Sequence, residues 1–315
     1  MTILPAGERK RIYDELMRLK VAEPSISPAS AIRHLRGRFP ALPSHGTLRN
    51  WFHGITAPTT SMNDLQPVPS SDLSFFIGAW LGDGWADEAD GGKRLLLKVR
   101  SKEFAEEFAV AATKILGKQR LYRVREVNDK NGRWFLVKVT SVQLFEFVSR
   151  AFSELVSSLG EHPAAFLRGV ATAEGNASVS TRSSGRDALN LTICISNSDF
   201  GFLLFCWNQA QALAYHPTSI TRGDRPGLAR VIAGHPILTT RTEWQFRIAR
   251  IKEVGRFLGE IGFADNEKQR KSADALELIC NDSPDVAVRK WKEKYVKIRG
   301  VWRRKEQDSD SISAA

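Results

Sequence analysis

Two nine-residue stretches, FIGAWLGDG at 76–84 and LRGVATAEG at 167–175, repeat one pattern 91 positions apart. Gly78 and Gly169 hold its third place, Gly82 and Ala173 the seventh, Asp83 and Glu174 the eighth, Gly84 and Gly175 the ninth. A glycine inside a helix costs roughly 1 kcal/mol relative to alanine, so an apolar helix that carries several needs a compensating contact. Gly78 with Gly82, and Gly169 with Ala173, lay a small-residue stripe along one helix face. Such stripes let two backbones approach closely. Packed about a pseudo-twofold axis, the two helices would bring Asp83 and Glu174 out side by side at the same end. Adjacent carboxylates repel, and a divalent cation that prefers hard oxygen ligands, Mg²⁺ or Mn²⁺, relieves the repulsion.

The flanks repeat as well. After the first motif, RLLLKVRS alternates Leu95, Leu97 and Val99 with Leu96, Lys98 and Arg100, and KEFAEEFAVAATKILG follows as an amphipathic helix ended by Gly117. RLYRVREV and RWFLVKVT flank NDKNG, a hairpin signal, and SVQLFEFVSRAF reads as one more amphipathic helix. After the second motif, DALNLTICIS alternates apolar and polar residues, 198–214 is helical, and RTEWQFRIAR alternates Trp244, Phe246 and Ile248 with Glu243, Gln245 and Arg247. EVGRFLGEIGF closes the second copy. Each copy therefore runs helix, two strands, helix, two strands, helix, a duplicated αββαββα module within an α+β fold.

Residues 1–60 read as a small all-α domain. Ser27 caps a helix that opens with Pro28, and Ser44 caps HGTLRNWFHGI after the turn PALP. That arrangement is helix-turn-helix-like, with His45, Thr47, Arg49 and Asn50 as exposed candidates for a major groove. This section carries nine Lys/Arg against four Asp/Glu, and the whole chain is +11, a balance that favours nucleic acid over a membrane surface. Residues 61–72 continue a Pro/Ser/Thr-rich linker. The modules span 73–160 and 161–270, and 271–315 form a basic helical extension in which WKEKYVKIRGVWRRK reads as a tail helix before a disordered end. No apolar run of membrane-spanning length and no leader peptide is read, so a cytoplasmic setting is expected. Cys194, Cys206 and Cys280 are expected to be reduced core thiols, and the six histidines lack metal-ligand spacing.

The two motifs and their modules resemble the LAGLIDADG homing endonucleases over about 73–270. FIGAWLGDG and LRGVATAEG align with the signature without a gap; Leu81 and Thr172 depart from it at the sixth place, and Trp80 is unusually bulky. The resemblance implies a monomer with pseudo-twofold symmetry and two saddle-shaped antiparallel sheets astride double-stranded DNA with a long specific site. It implies divalent metal held at Asp83 and Glu174, with Gly82 and Ala173 beside them, and cleavage across the minor groove to leave 3′ overhangs. A basic residue near the metal is expected in NEKQRK, as Lys268 or Lys271, and Asn176 could touch the site or only shape its turn. Strand residues expected to face DNA are Lys98, Arg100, Arg123, Arg125, Lys138, Asn190, Thr192, Gln245 and Arg247. The absence of terminal splicing residues points to a free-standing or intron-encoded enzyme. Two other readings stand beside it: a catalytically silent nucleic-acid-binding protein on the same fold, either a transcription regulator or an RNA-splicing maturase, and a basic protein whose repeated helices only form an interface. Retention of both acids favours the nuclease.

Overall fold

The computed structural model describes residues 4, 6–55, 68–88, 93–130, 132–182, 187–223, 226–227, 229–232, 235–238, 240–298 and 300–305. Residues 61–67 of the proposed linker and the expected disordered tail, 306–315, lie outside the described residues. The chain forms two compact units, one of 1–66 with 142–149, the other of 67–141 with 150–315.

In the first unit, α1 (Ala6–Ala22), α2 (Pro28–Arg36) and α3 (His45–Phe52) close on Ile12, Leu16, Ile32, Leu35, Leu48 and Trp51. Both expected caps form: Ser27 Oγ accepts from the Ser30 amide and Ser44 Oγ from the Thr47 amide, each at 3.2 Å. His45, Arg49 and Asn50 are exposed and Thr47 is half-buried.

The second unit begins with α4 (Ser71–Asp83), β1 (Gly84–Asp87), β2 (Arg94–Val99), α5 (Lys102–Ile115), β3 (Val124–Asp129) and β4 (Gly132–Thr140). Next come α6 (Val142–Val148), which groups with the first unit, and α7 (Phe152–Ser157). Within SVQLFEFVSRAF the helix runs from Val142 to Val148, and a further short helix opens at its last residue, Phe152. The second copy comprises α8 (Pro163–Glu174), β5 (Gly175–Arg182), β6 (Ala188–Asn197), α9 (Phe200–Ala212), β7 (Thr221–Arg222), β8 (Ala229–Ile232), β9 (His235–Leu238), β10 (Trp244–Ile248) and α10 (Ile251–Glu260). Then follow α11 (Asn266–Asn281), α12 (Pro284–Lys294), β11 (Tyr295–Ile298) and β12 (Val301–Arg304).

The two four-stranded antiparallel sheets have equivalent orders, β1-β2-β4-β3 and β5-β6-β10-β7. Gly84 pairs with Leu97 in one and Gly175 with Ile195 in the other, so Val99 and Asn197 hold equivalent places. Between β7 and β10 the second copy carries a separate two-stranded β8–β9 hairpin that has no counterpart in the first copy among the described residues. Alternation works as read: Leu95, Leu97 and Val99, and Leu189, Leu191, Ile193 and Ile195, turn inward. The basic tail is a correction: its helix ends at Lys294 and the chain turns back as the β11–β12 hairpin. Val296, Ile298 and Trp302 explain this, because β-branched and aromatic residues on either side of Gly300 suit a hairpin better than a helix. The cysteine expectation also needs correction, since only Cys206 is buried, Cys194 is half-buried and Cys280 is exposed.

At the centre α4 lies against α8. Its residues from Leu73 to Trp80 are all buried, as befits a helix enclosed on every side. A methyl on Gly78 would strike the Phe166 carbonyl, and one on Gly169 would strike the Phe75 carbonyl. Those contacts are reciprocal under the 91-residue repeat, the signature of a twofold relation. Phe76 stacks on Phe108 of α5, and Phe166 packs edge-on against Phe202 and Phe205 of α9. Replacing Gly78 or Gly169 by alanine is expected to lower the unfolding free energy by about 3 kcal/mol or more. Gly259→Ala, whose methyl would meet nothing within 4 Å, should instead raise it by about 0.5–1 kcal/mol. Equilibrium urea unfolding distinguishes the two directions.

Candidate active site

Asp83 and Glu174 are the last residues of α4 and α8. Each helix stops because the next glycine turns extended, Gly84 at φ −82° and ψ 151°, Gly175 at φ −87° and ψ 152°. Gly84 also makes room for the indole of Trp80, which lies over it. That is how the first motif accommodates so large a side chain. Thr172, at the departing sixth place of the second motif, is buried and structural. Its hydroxyl donates to the Arg168 carbonyl at 2.7 Å and accepts from the Ala264 amide at 2.9 Å.

The C-terminal end of a helix carries partial negative charge and is a poor place for a carboxylate. Here two such ends meet. The Cγ of Glu174 sits 3.2 Å from where a Cβ on Gly82 would stand, so its stem lies against the opposite helix. Burial, and then the Asp83 charge, push the Glu174 carboxyl up to about 7, opposed by Lys268 and by the Asn197 amide, which donates at 3.0 Å. Burial also raises Asp83, again opposed by Lys268.

Lys268 is the cation that answers both acids. Its Nζ donates to the carbonyls of Thr172 at 2.6 Å and Gly175 at 2.8 Å, groups that the end of α8 leaves without helical partners. Helix α11 is aimed there by its cap, Asp265, which accepts from the Lys268 amide at 2.9 Å. Arg168 adds a second tie, donating to Glu107 at 2.8 and 2.9 Å and to the Ile261 carbonyl at 3.0 Å. Burial pulls the Lys268 ammonium below its ordinary range, while Asp265, Asp83 and Glu174 hold it up. Lys271, one turn on, is lowered by burial and supported by Glu267 and Asp265.

Asp83, Asn176, Lys268 and Lys271 line a cleft of about 370 Å³ together with Lys98, Arg100 and Trp134 of the first sheet. Trp134 carries Lys98 and Arg100 over its ring at 5.1 and 4.4 Å, and its indole N–H donates to Asp129 at 3.0 Å. Lys98 also donates to Asp129 at 2.7 Å. Of the other residues expected to face DNA, Arg123, Arg125, Lys138 and Arg247 are exposed, while Asn190, Thr192 and Gln245 are half-buried on the side of β6 and β10 away from the core. Cys194 joins that face and donates to Gln245 at 3.2 Å. The structure therefore brings Lys268 to both acids, sets Lys271 in the cleft with Asp83, and spreads the strand residues over two sheet faces.

Sequence reasoning missed Asn197 and Asp265. Asn197 follows a regular alternation and resembles any strand-ending polar residue; its equivalent, Val99, has no amide to offer. Pairing of β5 with β6, which the sequence does not declare, is what sets it beside Glu174. As a metal site the two carboxylates are the hard donors that Mg²⁺ or Mn²⁺ prefers. No cluster of three His, Cys, Asp or Glu occurs among the described residues, so the remaining ligands would have to come from backbone, water or phosphate.

No family model matches the chain. It is 24% identical over 236 residues to an uncharacterized protein of Methanocaldococcus jannaschii, covering 74% of this chain and 82% of that one. Among solved structures it is similar to the LAGLIDADG meganuclease I-AabMI bound to uncleaved DNA, with a TM-score of 0.44, 11% identity and 70% of this chain against 97% of that one. A structure of the homing endonuclease I-DmoI in complex with DNA and Mn gives 0.40, with 14% identity and coverage of 61% and 96%.

Raised carboxylates mean that the metal-free folded protein holds protons more tightly than the unfolded chain. Stability from this source is full below the ordinary glutamate value of 4.5 and is lost as pH climbs to about 7. The urea midpoint of the metal-free protein should fall across that window, and Glu174→Gln should make the fall shallower. An identical slope in the variant would disprove the assignment.

Proposed function

We propose that this chain is a monomeric, site-specific double-strand DNA endonuclease of the LAGLIDADG type, dependent on Mg²⁺ or Mn²⁺. The observation that carries the proposal is the meeting of Asp83 and Glu174 at two helix ends made adjacent by reciprocal glycine contacts, with Lys268 serving both. A repulsive pair of buried acids is costly for a purely structural interface, and it suits a site that gains a cation.

Asp83 and Glu174 would hold the metal, with the backbone at Gly82 and Ala173 adjoining. The bound ion supplies an acidified water and charge compensation at the phosphate. The chain's own groups do the rest. Asp83 belongs to the first repeat and Glu174 to the second, so each orients one strand. The water oxygen bonds to phosphorus, the P–O3′ bond breaks, and the products are a 5′-phosphate and a 3′-hydroxyl.

Lys268 and Lys271 take different roles. Lys268 uses two donors on carbonyls, so it acts as a fixed positive charge beside the developing phosphorane. Lys271 lines the cleft, and its lowered basicity suits the transfer of a proton to or from water. The open faces of the two sheets would follow the duplex, Arg and Gln reading base edges and Lys meeting phosphate. In the first unit, α3 would enter a neighbouring major groove through His45, Thr47, Arg49 and Asn50.

Asp83→Asn and Glu174→Gln should each abolish double-strand cutting in Mg²⁺ while duplex affinity stays within about threefold. Cutting at the wild-type rate by either variant would sink the site assignment; a cleavage selection from a random duplex library supplies the substrate. Arg49→Ala combined with Asn50→Ala should shorten the footprint at one end. A footprint of unchanged length would reduce the first unit to a structural cap.

A further inference from the structure

The β11–β12 hairpin has no counterpart after the first repeat among the described residues. It is firmly anchored. Tyr295 stacks on the buried Trp291 with ring centroids 4.0 Å apart at 12°, and Trp302 meets Trp291 edge-on at 5.9 Å. The Tyr295 hydroxyl donates to Asp274 at 2.7 Å, tying the hairpin to α11, the helix that bears Lys268 and Lys271. The register pairs Ile298 with Val301, Lys297 with Trp302 and Val296 with Arg303. Successive strand residues point to opposite faces, so with Tyr295 and Trp302 packed towards α12, Val301 and Arg303 fall on the outer face. Both are exposed, Val301 by 53%.

The outer face ends at the candidate active site, because Val301 lines the same cleft as Asp83, Arg100, Trp134 and Lys268. A duplex whose phosphodiester reaches Asp83 must therefore pass the hairpin tip. Arg303 lies on the same outer face two residues from Val301, and its charge adds to the burial that lowers the Lys271 ammonium.

We infer that the hairpin is a one-sided DNA clamp, with Val301 against the sugar edges of the minor groove and Arg303 on a phosphate beside the scissile bond. The inference rests on the reading of Asp83 as a residue that meets DNA. An apolar tip flanked by a cation is a usual pairing for minor-groove contact. Because the hairpin follows only the second repeat among the described residues, it would also distinguish the two ends of the target.

The test measures the affinity of a mixed-sequence duplex against KCl concentration, in an Asp83→Asn background that does not cut. Arg303→Ala should reduce the magnitude of the log–log salt slope by about 0.9. Val301→Asp should weaken binding about tenfold at low salt through like-charge repulsion. Lys305→Ala, a matched loss of charge beside Asp187 and Asp285 rather than in the cleft, should leave the slope unchanged. Wild-type behaviour of Arg303→Ala and Val301→Asp, or an equal loss in Lys305→Ala, overturns the clamp. The nuclease reading fails separately: a Mg²⁺-loaded wild type that shows the hairpin-dependent slope and never cuts would retain the clamp and lose the endonuclease.

Discussion

Everything in the larger unit hangs on one contact, the backbone of α4 lying directly on the backbone of α8. Gly78 faces the Phe166 carbonyl and Gly169 faces the Phe75 carbonyl, with no side chain between them. A β-carbon at either crossing would have to displace main chain, which is why the glycines' helix penalty is worth bearing. The contact fixes three things together. It sets the two sheets on either side of a central pair, fills the space around that pair with Phe76, Phe108, Phe166 and Phe202, and ends both helices at the same level.

Ending two helices together concentrates negative charge, because each terminus contributes free carbonyls and each motif adds an acid. Lys268 answers both acids by charge, and the hydrogen bonds that hold the site are made at the second repeat. Lys268 caps the carbonyls of the second helix, and Asn197 holds the second carboxylate. At the first repeat the place equivalent to Asn197 is Val99, and the basic groups that share the cleft with Asp83 come from the first sheet and from α11. The pseudo-twofold axis thus relates the acids but not their surroundings.

Much of this was legible in the sequence where the cause was local. Ser27 and Ser44 announce helix starts, the alternation from Leu189 to Ile195 announces a half-buried strand, and the 91-residue echo announces the helix pair. Lys268 was also within reach, since NEKQRK opens a helix just after the last helix of the second copy. What stayed hidden depends on strand register and long-range docking. Asn197 reaches Glu174 only through the pairing of Gly175 with Ile195. Basic charge hid the tail hairpin: WKEKYVKIRGVWRRK has helix-forming lysines at its start, and the strand preference of Val296, Ile298 and Trp302 is joined by the aromatic packing of Trp291, Tyr295 and Trp302. The break between α6 and α7, and the grouping of α6 with the first unit, follow from tertiary contacts that local pattern does not carry.

The central claim is that the helix pair creates one metal site from two distant acids. Iron-directed cleavage of the polypeptide tests it most directly: Fe²⁺ with ascorbate, bound in place of Mg²⁺, breaks the chain beside its ligands. The account predicts paired breaks next to Asp83 and Glu174, both suppressed by excess Mn²⁺ and both lost when either acid is replaced by its amide. Breaks at one acid alone, or breaks that persist at one after the other is replaced, would contradict a shared site.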